Sequence, residues 1–196
     1  MKVLEAKECY IGYARPLLGN ISFQLDFGEV LNVYGENGVG KTTLLKAFLG
    51  ISILRGEIRV LSKDILELSP LERVKLVSVM LGETIRADIT VRRYFELHFS
   101  PVSSDLIEVF GLKEVLDKTF KEISTGQNRK VQLVRALSSP APVIALDEPY
   151  AHLDEKSKIH LERIIEDLRK KGKVFIITSH KPLGFGKPFK LPPSSQ

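Results

Sequence analysis

Cysteine is almost missing from this sequence: Cys9 is the only thiol in 196 residues. That excludes an internal disulfide and a cysteine-cluster metal site, and it accords with a reducing cytosol. As the lone thiol, Cys9 reads as packing rather than catalysis. Long apolar runs are missing too, since no stretch approaches the roughly 20 residues that a helix needs to cross a bilayer; no membrane span is expected. The start, Met1-Lys2-Val3-Leu4-Glu5-Ala6-Lys7-Glu8, carries charges of both signs where an export signal needs an apolar block, so export is not expected either. There is no repeat, no low-complexity block and no long basic tract: 29 Lys and Arg against 24 Asp and Glu leave a formal charge of +5 spread along the chain, a weak argument for nucleic acid or anionic lipid. What remains, 43% hydrophobic and 27% charged residues, is ordinary for a globular protein. The length suits one well-buried core with an insertion and is short for two full domains.

The most informative stretch is Gly35-Glu36-Asn37-Gly38-Val39-Gly40-Lys41-Thr42-Thr43, which fits the P-loop pattern at every fixed position. Val30-Leu31-Asn32-Val33-Tyr34 precedes it as a strand. Leu44 to Leu49 follows with apolar residues at helical spacing and stops at Gly50. Glycines let the backbone N–H groups approach phosphate oxygens, and the helix turns its positive end toward the same anion. Lys41 then reaches the β- and γ-phosphates of a nucleoside triphosphate, and the Thr42 hydroxyl binds Mg²⁺.

Along the chain, residues 2–34 read as two or three strands, with Ile21 to Phe27 alternating apolar and polar and a turn at Gly28-Glu29. Tyr13 is a candidate to stack on a nucleotide base; the alternative, for it and for Tyr10, is packing on the sheet. Gly56 to Leu61 and Leu76 to Leu81 read as further strands. From Thr90 the spacing turns helical over Thr90–Phe99, Ser104–Phe110 and Leu112–Lys118, which predicts an inserted helical piece; Gly126–Leu137 is a further helix. Two short apolar runs, Pro142–Leu146 and Lys173–Thr178, flank an amphipathic helix over Glu155–Lys171, the mark of a buried parallel sheet with a right-handed crossover. The segment from Gly184, with Gly186, Pro188, Pro192 and Pro193, is expected to be a loosely held tail.

Asp147 and Glu148 end one of those apolar runs, where parallel sheets present their ligands. Asp147 is suited to hold Mg²⁺, directly or through water, and Glu148 to act as base for an attacking water. Ser124-Thr125-Gly126-Gln127 opens a helix and offers a second anion-binding end, although taken alone it reads as a plain N-cap. His180, past the last strand, is placed to donate to a γ-phosphate oxygen.

Together these pieces resemble one family, the ATP-binding cassette ATPases, from about Tyr13 to His180. Gly35 to Thr43 matches the family's Walker A, Ile123 to Gln127 its signature loop, Asp147-Glu148-Pro149 its Walker B with the following proline, Leu153-Asp154 its D-loop and His180 its switch histidine. The resemblance implies an α/β fold: a P-loop NTPase core with a parallel sheet, an N-terminal antiparallel β subdomain and a small inserted helical subdomain. In these terms the chain is one ATPase domain, with the RecA-like core and β subdomain at about 1–87 and 138–183, the helical subdomain at about 88–137 and a tail at 184–196.

It implies an ATPase with catalytic Lys41, Glu148 and His180. ATP would be bound by Tyr13, Gly35, Asn37, Gly38, Gly40, Lys41, Thr42 and Thr43, and by Ser124, Gly126 and Gln127 of a second subunit, because two cassettes of this family meet head to tail. Mg²⁺ would be held by Thr42, Asp147 and Glu83. Two positions depart from the pattern: Thr125 stands where the family usually has glycine, and the family's Q-loop glutamine would fall at Gly82 or Glu83, neither of which is Gln. The implied function is a subunit, cytoplasmic and peripheral on the inner face of the membrane, that dimerises with ATP and powers a separate membrane-spanning transporter, with likeness to small export-type cassettes such as the haem exporters. The alternatives are an ABC ATPase acting on nucleic acid or the ribosome, which the absence of a coiled coil and of a second cassette disfavours, and a non-hydrolytic scaffold, which Glu148 and His180 disfavour.

Overall fold

A computed structural model describes residues 2–98 and 100–191 of the chain. In order, it contains β1 (Lys2–Gly12), β2 (Pro16–Asp26), β3 (Val30–Tyr34), α1 (Lys41–Ala47), β4 (Ile53–Val60), β5 (Lys63–Asp64), α2 (Pro70–Leu76) and β6 (Val77–Met80). There follow α3 (Val91–Glu96), α4 (Ser104–Val109), a 3₁₀ turn (Lys113–Val115), α5 (Thr125–Leu137), β7 (Val143–Leu146), α6 (Glu155–Lys170), β8 (Val174–Ser179) and β9 (Lys187–Lys190). Among the described residues no helix is long and apolar enough to cross a membrane.

The strands form two sheets. An antiparallel sheet has the order β2-β1-β4-β5, and a five-stranded sheet has the order β6-β7-β8-β3-β9 with every neighbouring pair parallel. The inner strands β3, β7 and β8 are mostly apolar and buried on both faces, as a sheet covered on two sides requires. Leu31, Val33, Val143, Ala145, Val174 and Ile176 join the antiparallel sheet and α1 in one core cluster. Their alternate neighbours Val30, Ile144, Leu146, Phe175 and Ile177 join α5, α6 and the short helices in a second. β7 and β8 are paired neighbours in this sheet, so the residues that leave their C-terminal ends emerge side by side.

Several expectations change. The segment after Gly184 is not a loose tail: β9 pairs with β3, the Leu191 N–H donates to Tyr34 O at 3.0 Å, and Leu191 is 2% exposed. Pro188 is tolerated because β9 is an edge strand, and Phe189 packs edge-on to Phe23 at 5.7 Å. Pro192 and Pro193 lie outside the described residues. The helix expected over Leu112–Lys118 is reduced to one 3₁₀ turn, since the chain turns back so that Thr119 bridges Thr90 and the Phe120 N–H reaches Ile89 O. Thr90 caps α3 rather than starting it, and Phe99, its expected end, lies outside the described residues. One helix was missed. Ser69 and Glu72 form a reciprocal capping box with Pro70 in the first turn of α2, a start signal written in Ser69-Pro70-Leu71-Glu72.

Candidate active site

The loop between β3 and α1 closes around the Lys41 side chain. The buried ammonium donates to the carbonyl oxygens of Gly35 at 2.8 Å and Glu36 at 3.0 Å, and lies 3.3 Å from Glu148 Oε1. Gly40, immediately before α1, has φ 108°, and a Cβ there would meet Leu17 and Leu18 of β2 at 3.1 Å. The antiparallel sheet is thus pressed against the P-loop, and Leu17 joins Asn37, Gly38, Lys41, Thr43 and Glu148 around a cavity of about 190 Å³. Sequence reasoning missed Leu17, which carries no motif.

Asp147 leaves β7 with both carboxylate oxygens engaged. The Thr42 hydroxyl donates to Oδ2 at 2.7 Å, the Gly82 N–H reaches the same oxygen at 3.3 Å, and the Thr178 hydroxyl donates to Oδ1 at 2.6 Å. Glu148 follows with φ 46°, a left-handed conformation that an L side chain adopts only when its surroundings hold it. Its carboxylate stands between Lys41 Nζ at 3.3 Å and His180 Nε2 at 3.0 Å. Hydroxyl and carboxylate oxygens are the hard donors that suit Mg²⁺, so Thr42 and Asp147 fit that ion.

On the other side of these carboxylates lies a cavity of about 370 Å³, lined by Thr42, Glu83, Thr125, Arg129, Asp147 and Glu148 among others. Three residues of α5 that the motifs did not single out build its wall. Arg129, 7% exposed, donates to the carbonyl oxygens of Gly82 at 3.0 Å, Asp147 at 2.8 Å and Glu148 at 2.5 Å. Burial pulls its guanidinium pKa down, while Asp147 and Glu148 oppose that. Asn128 is hydrogen-bonded through both ends of its amide to the backbone of Ile85, and Gln132 donates to Glu83 O at 3.0 Å. Their one sequence signal is polarity on a buried stripe, for Asn128, Arg129 and Gln132 sit among Val131, Leu133 and Val134. Thr178, also missed, is a hydroxyl at the end of the apolar run of β8.

The fold therefore brings Lys41, Thr42, Asp147, Glu148 and His180 together. Ser124 caps α5 in a capping box with Gln127, and its hydrogen bonds are local. Gly126 packs beside His152, where a Cβ would lie 3.4 Å from the carbonyl oxygen. Tyr13 is 57% exposed in the bend between β1 and β2, while Tyr10 lies under the Arg55 guanidinium. Of the two Q-loop positions, Gly82 is tightly packed: a Cβ there would stand 3.2 Å from Asp147 Oδ2 and 3.4 Å from Arg129 Nη1, so those side-chain ends would have to shift by a few tenths of an ångström. Glu83 has an exposed side chain that pairs with Lys46 of α1 at 3.4 Å.

Comparison with known proteins agrees with this geometry. A family profile described as ABC transporter matches residues 18–151. A cytochrome c biogenesis ATP-binding export protein, CcmA, of Legionella pneumophila is 36% identical over 183 residues, covering 88% of this chain and 90% of that protein. The CcmA of Xanthomonas campestris pv. campestris is 31% identical over 175 residues, covering 84% and 80%. Among solved structures, a chain described as an ATP-binding protein of an ABC transporter from Pyrococcus furiosus superposes with a TM-score of 0.78 at 30% identity and covers 96% of each chain. A dimeric, post-hydrolysis cassette bound to ADP and Pi superposes with a TM-score of 0.78 at 20% identity, a likeness of fold.

Proposed function

Because the chain belongs to the ABC transporter family and is one of its ATPases, we propose that it is the subunit that binds and hydrolyses ATP to drive a separate membrane-spanning partner. The observation that carries this reading is the position of the Glu148 carboxylate, 3.3 Å from Lys41 and 3.0 Å from His180, beside the Thr42–Asp147 pair. ATP and water become ADP and phosphate. The Lys41 ammonium leaves the carbonyl oxygens of Gly35 and Glu36 for the β- and γ-phosphates, where it is a stronger partner as one half of a charged pair. The Glu148 carboxylate accepts a proton from the attacking water, and His180 Nε2 orients that carboxylate and the γ-phosphate. Thr42 and Asp147, with Glu83, would hold Mg²⁺, and the ion would supply neutralisation of phosphate charge.

In this reading two copies pair head to tail, so that Ser124, Gly126 and Gln127 of one meet the γ-phosphate on the other, with Asn37, Gly38, Gly40 and Thr43 lining the phosphates and Tyr13 against the base. The dimer works on the cytoplasmic face of the membrane. Likeness to proteins named for cytochrome c biogenesis and export supports an exporter in that process. The test is co-expression of the tagged chain with the products of its neighbouring reading frames: one is expected to be a multi-span membrane protein that is recovered with the chain from detergent-solubilised membranes and raises its ATPase activity. A chain that stays in the soluble fraction and gains no activity would sink the transporter reading.

A further inference from the structure

We propose that Thr178 is a positioning residue for ATP hydrolysis, its single hydroxyl setting both the Asp147 carboxylate and the Glu148 backbone. Thr178 is 0% exposed in β8. Its Oγ1 accepts the Glu148 N–H at 2.9 Å and lies 2.6 Å from Asp147 Oδ1. A peptide N–H can only donate, so the hydroxyl proton is left for the carboxylate, and the direction of both bonds is determined.

Each bond has a consequence at the site. With Oδ1 tied to Thr178, the Asp147 carboxylate plane turns Oδ2 toward the Thr42 hydroxyl at 2.7 Å. The second bond acts on a residue whose φ of 46° is unfavourable for an L side chain. Arg129 holds the carbonyl oxygens of Asp147 and Glu148, whereas Thr178 holds the N–H of the peptide between them. Opposing anchors on that peptide keep the Glu148 carboxylate against Lys41 and His180. Thr178 lies between Ile177 and Ser179 in β8. Valine has nearly the shape of threonine and lacks its hydroxyl, so that substitution tests the hydroxyl itself.

The proposal rests on Glu148 as the base, so the test carries a control for that assignment. Steady-state ATPase kinetics and equilibrium binding of a fluorescent ATP analogue are measured on Thr178→Val, Thr178→Ser and Glu148→Gln. Thr178→Val is expected to lower kcat about 10–100-fold, the scale of a misplaced catalytic group, with KM and nucleotide affinity within about three-fold. Thr178→Ser, which keeps the hydroxyl, is expected to stay within about three-fold of the unsubstituted protein in all three. Unchanged kcat in Thr178→Val overturns the proposal, as does an equal loss in Thr178→Ser. Should Thr178→Val fail to fold, Thr178→Ala takes its place against Thr178→Ser, and equal turnover of the two is the overturning result. Normal turnover of Glu148→Gln would instead remove the base itself, which separates that failure from failure of Thr178.

Discussion

Glu148 and His180 meet at 3.0 Å because they leave the C-terminal ends of two neighbouring parallel strands, β7 and β8. The same pairing brings Thr178 within reach of the Asp147 carboxylate. The two carboxylates, the histidine and the hydroxyl are thus brought together by one strand order.

Glu148→Gln keeps the shape and removes the carboxylate proposed as the base. Turnover is expected to fall by about 10²–10⁴-fold, the range for a lost general base, with ATP affinity retained. Phosphate release under saturating ATP measures the first quantity and equilibrium dialysis the second. Turnover near that of the unsubstituted protein would assign the proton to another group.

Dimerisation is expected with ATP and not with ADP, since the γ-phosphate is what the second copy's Ser124 end would bind. Charge-assisted contacts of about 1.5–3 kcal/mol each work against roughly 4–15 kcal/mol of association cost, so the dimer should be weak and visible in the Glu148→Gln background. Sedimentation velocity with each nucleotide measures it, and Ser124→Arg should abolish it. Ser124→Ala controls for the capping box that Ser124 forms with Gln127: it costs about 0.5–2 kcal/mol of stability and leaves space for the phosphate. A dimer equally populated with ATP and ADP would place the interface elsewhere.

Arg129→Met removes the donors to three carbonyl oxygens, those of Gly82, Asp147 and Glu148. Stability should drop by about 2–4 kcal/mol, or roughly 4–16 °C in Tm for a chain of this size. Calorimetry reads the loss, and kcat should fall with it because Glu148 depends on that anchor. An unchanged Tm would mean that water replaces the guanidinium at no cost.

Asp154 caps α6 by accepting the Ser157 N–H and pairs with Lys130 of α5 at 2.7 Å. The Lys130 hydrogen bond first, and those from Ser157 next, hold its carboxyl well below the usual carboxylate range. A lowered folded-state value means that the stabilisation is fully present above the unfolded value of about 3.9 and is lost as pH falls below it toward the folded value. The stability gap between the unsubstituted protein and Asp154→Ala should therefore be constant from about pH 5 to 7 and narrow below about pH 4. Urea melts across that range measure it; a gap that stays constant to pH 3 contradicts the ion-pair contribution.

Short-range patterns were legible in the residues themselves. Gly35 to Thr43, the apolar run of β7 ending in Asp147-Glu148, and the Ser124 cap each complete their signal within about ten residues, and the structure carries a strand-loop-helix, a strand end and a helix start at those places. The capping box at Ser69 was equally local and was passed over. The strand at Lys187–Lys190 was not legible, because Gly186 and Pro188 argue for a loop and pairing with β3 overrules them.

The sequence by itself determined the chemistry, since phosphate-binding backbone, ammonium, hydroxyl and carboxylates are properties of residue types at fixed local spacing. Only the tertiary structure decided how those groups are held. Thr178 and Arg129 reach Asp147 and Glu148 from different elements, and Gly82 is packed closely against the side chains of Asp147 and Arg129. The physical reason is range: a hydrogen bond needs partners within about 3 Å, and for residues far apart in the chain that distance is set by strand order and helix packing.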